Sequence, residues 1–509
     1  MTSFPANFKE AAFNHKNKIK NFLSAEISQE EFKKYLSSMG IYAESTGKTY
    51  MARIRNTGGI LSVAQLKKIS ECAKKYSKNS IHLTTRQDVQ FHDVSLENTA
   101  HLLEELTFVE LYTKGTGGNC SRNVACSVLS GFDADEIFDV TDFALKTSEF
   151  LAQEDKAFNL PRKLKISFSN SSLDTAYASI ADLGFIAEIQ NGIKGFKVYA
   201  AGGLGLNPNP AIVINDFIPV NDYIYHVYTI LNLFYDHGDR QNRNKARSRY
   251  ILKRLGEDNF KNLYNEYLEK AKTDSIFLEN WIASSQAPRN DEHSLYLYLH
   301  PEKGNFQAKY LDWIADFAQN CGYEISLKLS PSQGLIIAGL KEEDTILLKE
   351  KFANIINDYE ILNLVSCVGS SICNSGICNS QELLSSIISK FKNEDIEIKQ
   401  ALPQVHISGC HNSCGQHQVA KIGFSGKLKK INDKSVQFYK LFLGGVVSAE
   451  KTSFGEEIAE LPAFIIPEFL YKLANLKISS EISCFYDFIS SKKQAIIGLA
   501  NNLGENHEF

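Results

Sequence analysis

The sequence predicts an α+β protein that contains two copies of one long unit. A strand, a Gly-bearing turn, a helix, two strands and a helix occur from about Met51 and recur after Asp291, at an offset close to 246. Further along, KLKISFSNSSLDTAYASIADLGF corresponds to PQVHISGCHNSCGQHQVAKIGF at an offset near 240. Two copies of a long unit indicate a pseudo-two-fold duplication and not a solenoid. Chance similarity is the alternative, and the recurrence of several landmarks argues against it.

The elements of the first copy follow from hydrophobic periodicity. The first 45 residues are charged and helical in pattern, and we expect them to form an arm or cap. Alternating apolar residues predict strands at 51–55 and 89–94. Apolar residues at helical spacing predict helices at 64–76 and 96–106.

Length and composition limit the class of protein. With 509 residues the chain is longer than one typical domain. Its net charge of −4 gives no reason to expect nucleic-acid or membrane-surface binding. No signal peptide and no run of about 18–20 apolar residues is evident, so we expect a cytoplasmic protein. Ten cysteines in such a chain favour ligand chemistry over disulfides.

Two short cysteine pairs are the main chemical signal. Cys367 and Cys373 enclose VGSSI, and Cys410 and Cys414 lie in SGCHNSCGQ. Four thiolates suit an iron–sulfur cluster or a structural zinc, and the C-x5-C and C-x3-C spacings favour the cluster. Unrelated core cysteines are the third possibility.

The first copy carries a partial counterpart of these pairs. Cys120 and Cys126 have the same five-residue gap, at an offset of 247. At the second pair, Ser169 and Leu173 are expected to stand where the second copy has cysteines. The first copy therefore lacks a complete thiolate set.

Cations are concentrated in the first copy instead. Arg86 follows a predicted strand, Arg122 lies in GNCSRNV, and Lys163 and Lys165 are two apart, so they share one face of a strand. Together with Arg53 they predict a pocket for a small oxyanion or for carboxylates. A solvated basic strand edge is the alternative for the lysine pair.

Two further segments carry weaker signals. The Gly-rich turn 202–210 lacks a dinucleotide-binding spacing and is predicted to be a tight turn near a cofactor. The basic run 238–250 is predicted to be mainly a solvated or interdomain face.

Taken together, the motifs resemble those of the sirohaem-containing nitrite and sulfite reductases. The resemblance extends from about residue 45 to 450 and rests on MARIRNTGG, LTTRQDVQFHDV, GNCSRNV, LPRKLKI, the C-x5-C pair and SGCHNSCGQHQVAKIGF. The family implies a three-domain α+β fold with internal two-fold symmetry. It implies two cofactors, a sirohaem and a [4Fe–4S] cluster.

The resemblance also implies roles for individual residues. The cluster ligands match Cys367, Cys373, Cys410 and Cys414, of which Cys414 also bridges to the sirohaem iron. Positions that contact the many carboxylates of the macrocycle match Arg55, Arg86, Arg162 and Asn412. The set that binds the anion and supplies protons matches Arg53, Arg122, Lys163 and Lys165. His411 stands where the family usually has proline, which changes no ligand.

These motifs predict a division of the chain into domains. We expect a helical arm at 1–45, and a ferredoxin-like repeat pair formed by 46–126 and 291–360. We expect the first copy of the sirohaem and anion-site domain at 127–290, and the second copy, with the cluster, at 361–509.

The function that follows is six-electron reduction of sulfite to sulfide, with nitrite to ammonia as the alternative. Lys165 favours sulfite, because the family's plant-type nitrite enzymes carry asparagine there, whereas SGCHNSCGQHQVAKIGF looks nitrite-like. No flavin or NADPH-binding module is evident, so we expect an external donor such as ferredoxin or a flavoprotein. A non-catalytic electron-transfer protein and a zinc-stabilised binding protein are alternatives of a different class.

Overall fold

The structure, a computed structural model, describes residues 6–274, 276–282 and 295–505. Helices in these residues are α1 (Ala6–Leu23), α2 (Gln29–Ser38), α3 (Val63–Tyr76), α4 (Leu96–Thr107), α5 (Thr141–Gln153), α6 (Tyr223–His237), α7 (Ser248–Leu255), α8 (Glu257–Asp274), α9 (Ala308–Asn320), α10 (Glu342–Lys351), α11 (Ser380–Phe391), α12 (Ile396–Ala401), α13 (Ile466–Ser479), α14 (Phe485–Ser491) and α15 (Lys493–Glu505).

Strands in the same residues form four sheets. They are β1 (Ile41–Ala43), β2 (Tyr50–Ile54), β3 (Ile60–Leu61), β4 (Ser80–Leu83), β5 (Val89–Val94), β6 (Ala125–Cys126), β7 (Ile166–Ser169), β8 (Leu183–Gln190), β9 (Ile193–Ala200), β10 (Ile212–Pro219), β11 (Leu295–Leu299), β12 (Asn305–Gln307), β13 (Ser326–Leu329), β14 (Leu335–Leu340), β15 (Val365–Ser366), β16 (Val405–Ser408), β17 (Ile422–Ile431), β18 (Lys434–Leu443) and β19 (Glu456–Pro462).

The elements predicted for the first copy are confirmed to within one residue. The strand predicted at 51–55 is β2, and the helix predicted at 96–106 is α4. The start of α3 is fixed by a capping box, in which Ser62 and Gln65 satisfy each other's backbone N–H. Sharp caps of this kind make helix starts predictable from sequence.

Two antiparallel sheets exchange one short strand each. One has the order β1-β2-β5-β4-β12 and the other the order β11-β14-β13-β3. The strand β12 pairs with β4, and β3 pairs with β13, so each half contributes one strand to the other half's sheet. The exchange is reciprocal, as a two-fold duplication requires.

The other two sheets have identical topology. In one, β6, β7 and β8 run parallel and are followed by antiparallel β9 and β10. In the other, β15, β16 and β17 run parallel and are followed by antiparallel β18 and β19. The four sheets confirm the α+β class and the internal duplication.

The register of these sheets corrects the comparison of the cysteine pairs. The strand β6 begins at 125 and β15 at 365, so the offset is 240 and not 247. The N–H of Ser127 donates to Phe168 O, as the N–H of Cys367 donates to Ile407 O. Ser127, and not Cys120, therefore occupies the position of Cys367.

The second pair of counterparts shifts as well. The strands β7 and β16 begin at 166 and 405, which places Ser171 opposite Cys410 and Thr175 opposite Cys414. The assignment of Ser169 and Leu173 is wrong by two residues. A gap between two cysteines fixes no register, whereas strand pairing does.

Three large hydrophobic cores lie between these layers in the described residues. One is shared by the two strand-exchanged sheets and contains Phe91 and Phe306 from opposite halves. The second is formed around β7 and α6, and the third around β16 and α13. Within the described residues, no helix combines the length and apolarity needed to cross a bilayer.

Candidate active site

Two loops bring the predicted cluster ligands together at one sheet edge. Cys367 directly follows β15, and Cys410 lies two residues after β16, which runs parallel to β15. Because parallel strands end at the same edge of a sheet, the two loops start side by side. The N–H groups of Ile377 and Cys378 donate to Gly409 O at 3.1 and 2.9 Å. These hydrogen bonds hold the loops in a fixed relative position.

Gly409 lies where the two loops approach most closely. A Cβ atom at this position would lie 2.5 Å from Cys378 O and 3.2 Å from Gly369 Cα. Real side chains do not occupy such a space, so the close approach requires glycine.

Backbone and amide N–H groups are directed at the sulfur atoms. Gly409 N–H donates to Cys367 Sγ at 3.1 Å, and Asn412 Nδ2 donates to Cys410 Sγ at 3.4 Å. Burial, followed by the charge of Cys414, raises the pKa of Cys367 to about 12. Bound iron would replace these protons, and the N–H donors would then stabilise the thiolates.

The donor set fits a cluster. Among the residues that the structure describes, no three His, Cys, Asp or Glu side chains converge as they would around a single metal ion. Four thiols on two hydrogen-bonded loops, with N–H groups aimed at sulfur, have the composition and support of a [4Fe–4S] site.

Lys163 and Lys165 lie just ahead of β7 and are both half-buried. Burial and then the charge of Arg247 lower the pKa of Lys163 to about 7, although Cys414 opposes them. Burial and then Arg86 hold the pKa of Lys165 well below its ordinary value. Within the described part of the chain neither Nζ donates a hydrogen bond, so both amines remain available to an anion.

Arg53 and Arg122 meet at one backbone carbonyl. Arg53 Nη1 donates to Thr116 O at 3.2 Å, and Arg122 Nη1 donates to the same oxygen. Arg122 Nη2 also donates to Gly118 O at 2.7 Å. Carbonyls orient the guanidinium groups without neutralising them. The structure thus brings together the two arginines predicted to bind the anion.

Arg55 and Arg86 are held mainly by backbone carbonyls. Arg86 Nη2 donates to Asn123 O at 2.6 Å and Ile166 O at 3.2 Å. Arg55 Nη2 donates to Gly115 O at 3.0 Å. In the part of the chain that the structure describes, the Nε atom of each arginine is buried and has no hydrogen-bond partner. One N–H of each arginine is therefore free for a ligand.

Arg162 and Asn412 complete the predicted set. Burial, followed by the charge of Arg243, lowers the pKa of Arg162 to about 10. Its Nη1 donates to Asn119 Oδ1 at 3.5 Å. The side-chain amide of Asn412 donates to Cys410 Sγ, so this hydrogen bond lies within the loop that carries Cys410 and Cys414.

Contacts between the two copies place Cys414 beside the cations. Thr85 Oγ1, which neighbours Arg86, donates to Cys414 O at 2.8 Å. Gln416 Nε2 donates in the opposite direction to Thr85 O at 3.3 Å. Cys414 and Lys163 also interact electrostatically. The thiols of one copy and the cations of the other therefore face one site.

The Gly-rich turn 202–210 borders the same site. The backbone N–H and C=O of Gly205 form a pair of hydrogen bonds with the side chain of Gln418, at 2.9 and 2.8 Å. A Cβ atom at Gly203 would lie 2.6 Å from Arg249 Nη1. The turn therefore links the second cysteine loop to an arginine.

Arg247 and Arg249 belong to the site, although the sequence analysis did not name them. Residues 241–245 of the same basic run are exposed, whereas Arg249 is only 7% exposed. Its Nε and Nη1 are buried, and no described residue accepts a hydrogen bond from them. A cavity beside it is also lined by Asn207, Tyr250 and Lys253. Residues 246–249 are all buried, Ser248 as well as the two arginines, so no alternation in ARSRY distinguished a buried face, and this end of the run is not solvated.

These cations fit a polycarboxylate cofactor. A buried donor without an acceptor costs about 1–3 kcal/mol, and the cost is removed when a ligand supplies the acceptor. Unpartnered N–H groups occur on Arg55, Arg86 and Arg249. Arg86 adjoins Thr85, which bonds to Cys414 O, and Arg249 lies against the turn that bonds to Gln418. Carboxylate substituents of a macrocycle beside Cys414 would therefore supply both negative charge and hydrogen-bond acceptors.

The chain is similar to known nitrite and sulfite reductases. The nitrite and sulphite reductase 4Fe–4S domain matches residues 117–272, and the nitrite/sulfite reductase ferredoxin-like half domain matches residues 42–109. The chain is 29% identical to a ferredoxin–nitrite reductase of Synechococcus elongatus, over 81% of the chain and 84% of that protein. It is 27% identical to a ferredoxin-dependent sulfite reductase of Mycobacterium tuberculosis, over 81% of the chain and 76% of that protein.

A solved structure has the same fold. The NirA protein of Mycobacterium tuberculosis superposes with a TM-score of 0.82, at 22% identity, over 97% of this chain and 98% of that one.

Proposed function

Because this chain belongs to the nitrite and sulfite reductase family, we propose that its reaction is the six-electron reduction of sulfite to sulfide. The chain is an oxidoreductase, and its cofactors are sirohaem and a [4Fe–4S] cluster. The observation that supports sulfite is the pair of unpartnered amines of Lys163 and Lys165 beside two arginines. The non-catalytic and zinc-binding alternatives are not favoured.

The cysteine loops would hold the cluster, and Cys414 would join it to the sirohaem. The cluster ligands in this proposal are Cys367, Cys373, Cys410 and Cys414. Arg55, Arg86, Arg162 and Arg249 would bind the carboxylates of the macrocycle, and Asn412 would support the cluster side. When bound, the two cofactors supply the electrons through one short path.

The protein's own contribution is binding, orientation and protons. Thr116 O orients both Arg53 and Arg122, so their guanidinium groups are preorganised to bind an anion. A lysine whose pKa is close to neutral releases a proton readily, and burial, followed by the charge of Arg247, brings the pKa of Lys163 to about 7. Each oxygen of the substrate leaves as water, which requires two protons, and the two lysines are placed to deliver them.

Charge distinguishes the two candidate substrates. Sulfite carries up to two negative charges near neutral pH and nitrite carries one. Two lysines and two arginines match the higher charge better. Nitrite remains the second candidate, because the SGCHNSCGQHQVAKIGF segment looks nitrite-like and relatives carry both activities in their names.

The electron donor is external in this proposal. The relatives named above are ferredoxin-dependent enzymes. Cys373 lies on a loop whose neighbours Asn374 and Ser375 are exposed, so a soluble donor protein, ferredoxin or a flavoprotein, could approach the cluster there.

Substitution of Lys165 by asparagine tests the choice of substrate. We expect Lys165→Asn to lower kcat/KM for sulfite about tenfold or more relative to nitrite, because one charged hydrogen bond contributes about 1.5–3 kcal/mol. The measurement is steady-state turnover of both anions with reduced methyl viologen. Lys245→Asn, an exposed position with the same change of charge, is the control. An unchanged ratio in Lys165→Asn would remove the basis for preferring sulfite.

A further inference from the structure

One fully buried carboxylate lies behind the cations of the site. Asp182 Oδ2 accepts hydrogen bonds from the backbone N–H of Lys165 and from Arg247 Nη2, both at 2.8 Å. Its Oδ1 accepts from Arg247 Nε at 3.4 Å and from Ser248 Oγ. Asp182 has no exposed surface, and Arg247 is 6% exposed. Neither the family motifs nor the predicted site residues include Asp182.

The carboxylate joins three segments of the fold. Lys165 immediately precedes β7, Asp182 immediately precedes β8, and Ser248 is the first residue of α7. A negative charge at the start of a helix is favourable, because the first-turn N–H groups of α7 are unpaired within the helix. The position of Lys165 at the site thus depends on a residue 17 positions away.

Asp182 also offsets the repulsion among the cations. Burial, Arg86, Lys163 and Arg247, in that order, lower the pKa of Lys165, and Asp182 raises it. Burial lowers the pKa values of Arg86 and Arg249, and Asp182 raises both. A nearby opposite charge favours the protonated form of each cation.

We infer that Asp182 is a positioning residue that holds Lys165 at the anion site and keeps this side of the site positively charged. The inference rests on the proposed function. It adds a residue that touches neither substrate nor cofactor and acts through Lys165 and Arg247.

The groups that face Lys165 come from every neighbouring element. They are Arg86 from the turn between β4 and β5, Lys163 from the same segment ahead of β7, Arg247 from just before α7, and Asp182 from just before β8. Three of these four groups are cations. Removal of the single anion, Asp182, is therefore expected to lower the pKa of Lys165.

The chain offers a matched control for this carboxylate. Asp174 is 1% exposed and accepts four hydrogen bonds, from Ser169 Oγ, Ala178 N–H, and both the N–H and Oγ of Ser179. No cation is among these partners. Asp174→Asn and Asp182→Asn therefore remove equally buried, equally bonded carboxylates.

The first measurement is the pH dependence of KM for sulfite in the cofactor-loaded enzyme. We expect Asp182→Asn to raise KM about tenfold near pH 8 and to move its alkaline rise to lower pH, with a smaller change in kcat. Asp174→Asn should leave the shape of the profile unchanged. In a Lys165→Met background, Asp182→Asn should produce no further shift. Identical profiles for the two aspartate variants would overturn the inference.

The second measurement does not depend on turnover. Acetic anhydride modifies only neutral amines, so the pH dependence of Lys165 acetylation in the full-length protein, followed by peptide mass spectrometry, reports the protonation of this lysine. We expect Asp182→Asn, and not Asp174→Asn, to shift that curve to lower pH. An unshifted curve contradicts the role of Asp182, whereas a shifted curve in an enzyme that reduces neither anion would contradict only the proposed function.

Discussion

Individual arginines of the site are oriented by neutral carbonyl groups. Arg53 and Arg122 share Thr116 O, and Arg86 donates to Asn123 O and Ile166 O. A carboxylate in these places would cancel the positive charge, whereas a carbonyl fixes the geometry and leaves the charge for a ligand. Asp182 is an exception among these partners, because it is a carboxylate and forms a buried ion pair with Arg247.

The protonation of Lys163 gives a prediction for stability. In the folded protein without cofactors its pKa is lowered, by burial and by Arg247, from 10.5 to about 7. Between these values the folded state binds fewer protons than the unfolded state, so the free energy of unfolding rises with pH, by at most about 1.4 kcal/mol per pH unit.

The measurement compares wild type with Lys163→Met. We expect the cofactor-free variant to unfold at a higher temperature than wild type below about pH 7, with the difference shrinking as pH rises towards 9. Lys245→Met, at an exposed position, should show no such trend. If the difference in unfolding temperature between Lys163→Met and wild type were constant with pH, protonation of Lys163 would not destabilise the folded protein.

Arg249 gives a prediction for cofactor retention. Its Nε and Nη1 are buried and unpartnered, so we expect Arg249→Gln to weaken sirohaem binding about tenfold or more. Sirohaem per chain, from the visible absorbance after extraction, should fall more than the cluster iron. Arg254→Gln, at an exposed position on the same helix, is the control. Equal sirohaem content in both variants would place Arg249 outside the cofactor site.

Residues of the site differ in how far the sequence could predict them. Arg53, Arg122, Lys163 and Lys165 lie in short motifs, and the structure brings them to one site as expected. Asp182 and Arg249 lie in no motif. Their roles arise from contacts between segments far apart in the chain, for example between Asp182 and Arg247, which are 65 positions apart.

At the scale of elements, the cluster site depends on two loops that cross at Gly409. We expect Gly409→Ala to lose most of the cluster iron, because the new methyl group would lie 2.5 Å from Cys378 O and separate the loops. Gly498→Ala is the control, because no atom lies within 4 Å of its position and alanine favours a helix by about 0.5–1 kcal/mol. Iron analysis of both variants checks this, and full iron content in Gly409→Ala would refute it.

Elements with clear periodicity and caps were predictable, whereas the internal alignment of the cysteine pairs was not. The helix α3 begins after the Ser62 cap, and β5 has the predicted bounds. The offset between copies changes from about 246 in the strand-exchanged sheets to 240 at β6, because the connection after α4 is longer than the one after α10. Loop length is poorly constrained by folding, so equal spacing of two cysteines did not indicate equal position.

In the whole molecule, the duplicated architecture explains why one site is formed by both copies. The exchange of β3 and β12 and one shared core fix the two halves to each other. The bonds of Thr85 to Cys414 and of Gln418 to Gly205 then align the cysteine loops with the cation-rich copy. The first copy has hydroxyl groups, Ser127 and Thr175, bonded to each other at 2.7 Å in the places of two thiols. Only one end of the molecule can therefore bind a cluster by this set of ligands.

Steady-state turnover of sulfite and nitrite by the cofactor-loaded wild-type enzyme, with reduced methyl viologen as donor, tests the central proposal most directly. We expect sulfide to form without released intermediates and kcat/KM for sulfite to exceed that for nitrite. A higher kcat/KM for nitrite, or turnover of neither anion by protein that contains both cofactors, would contradict it.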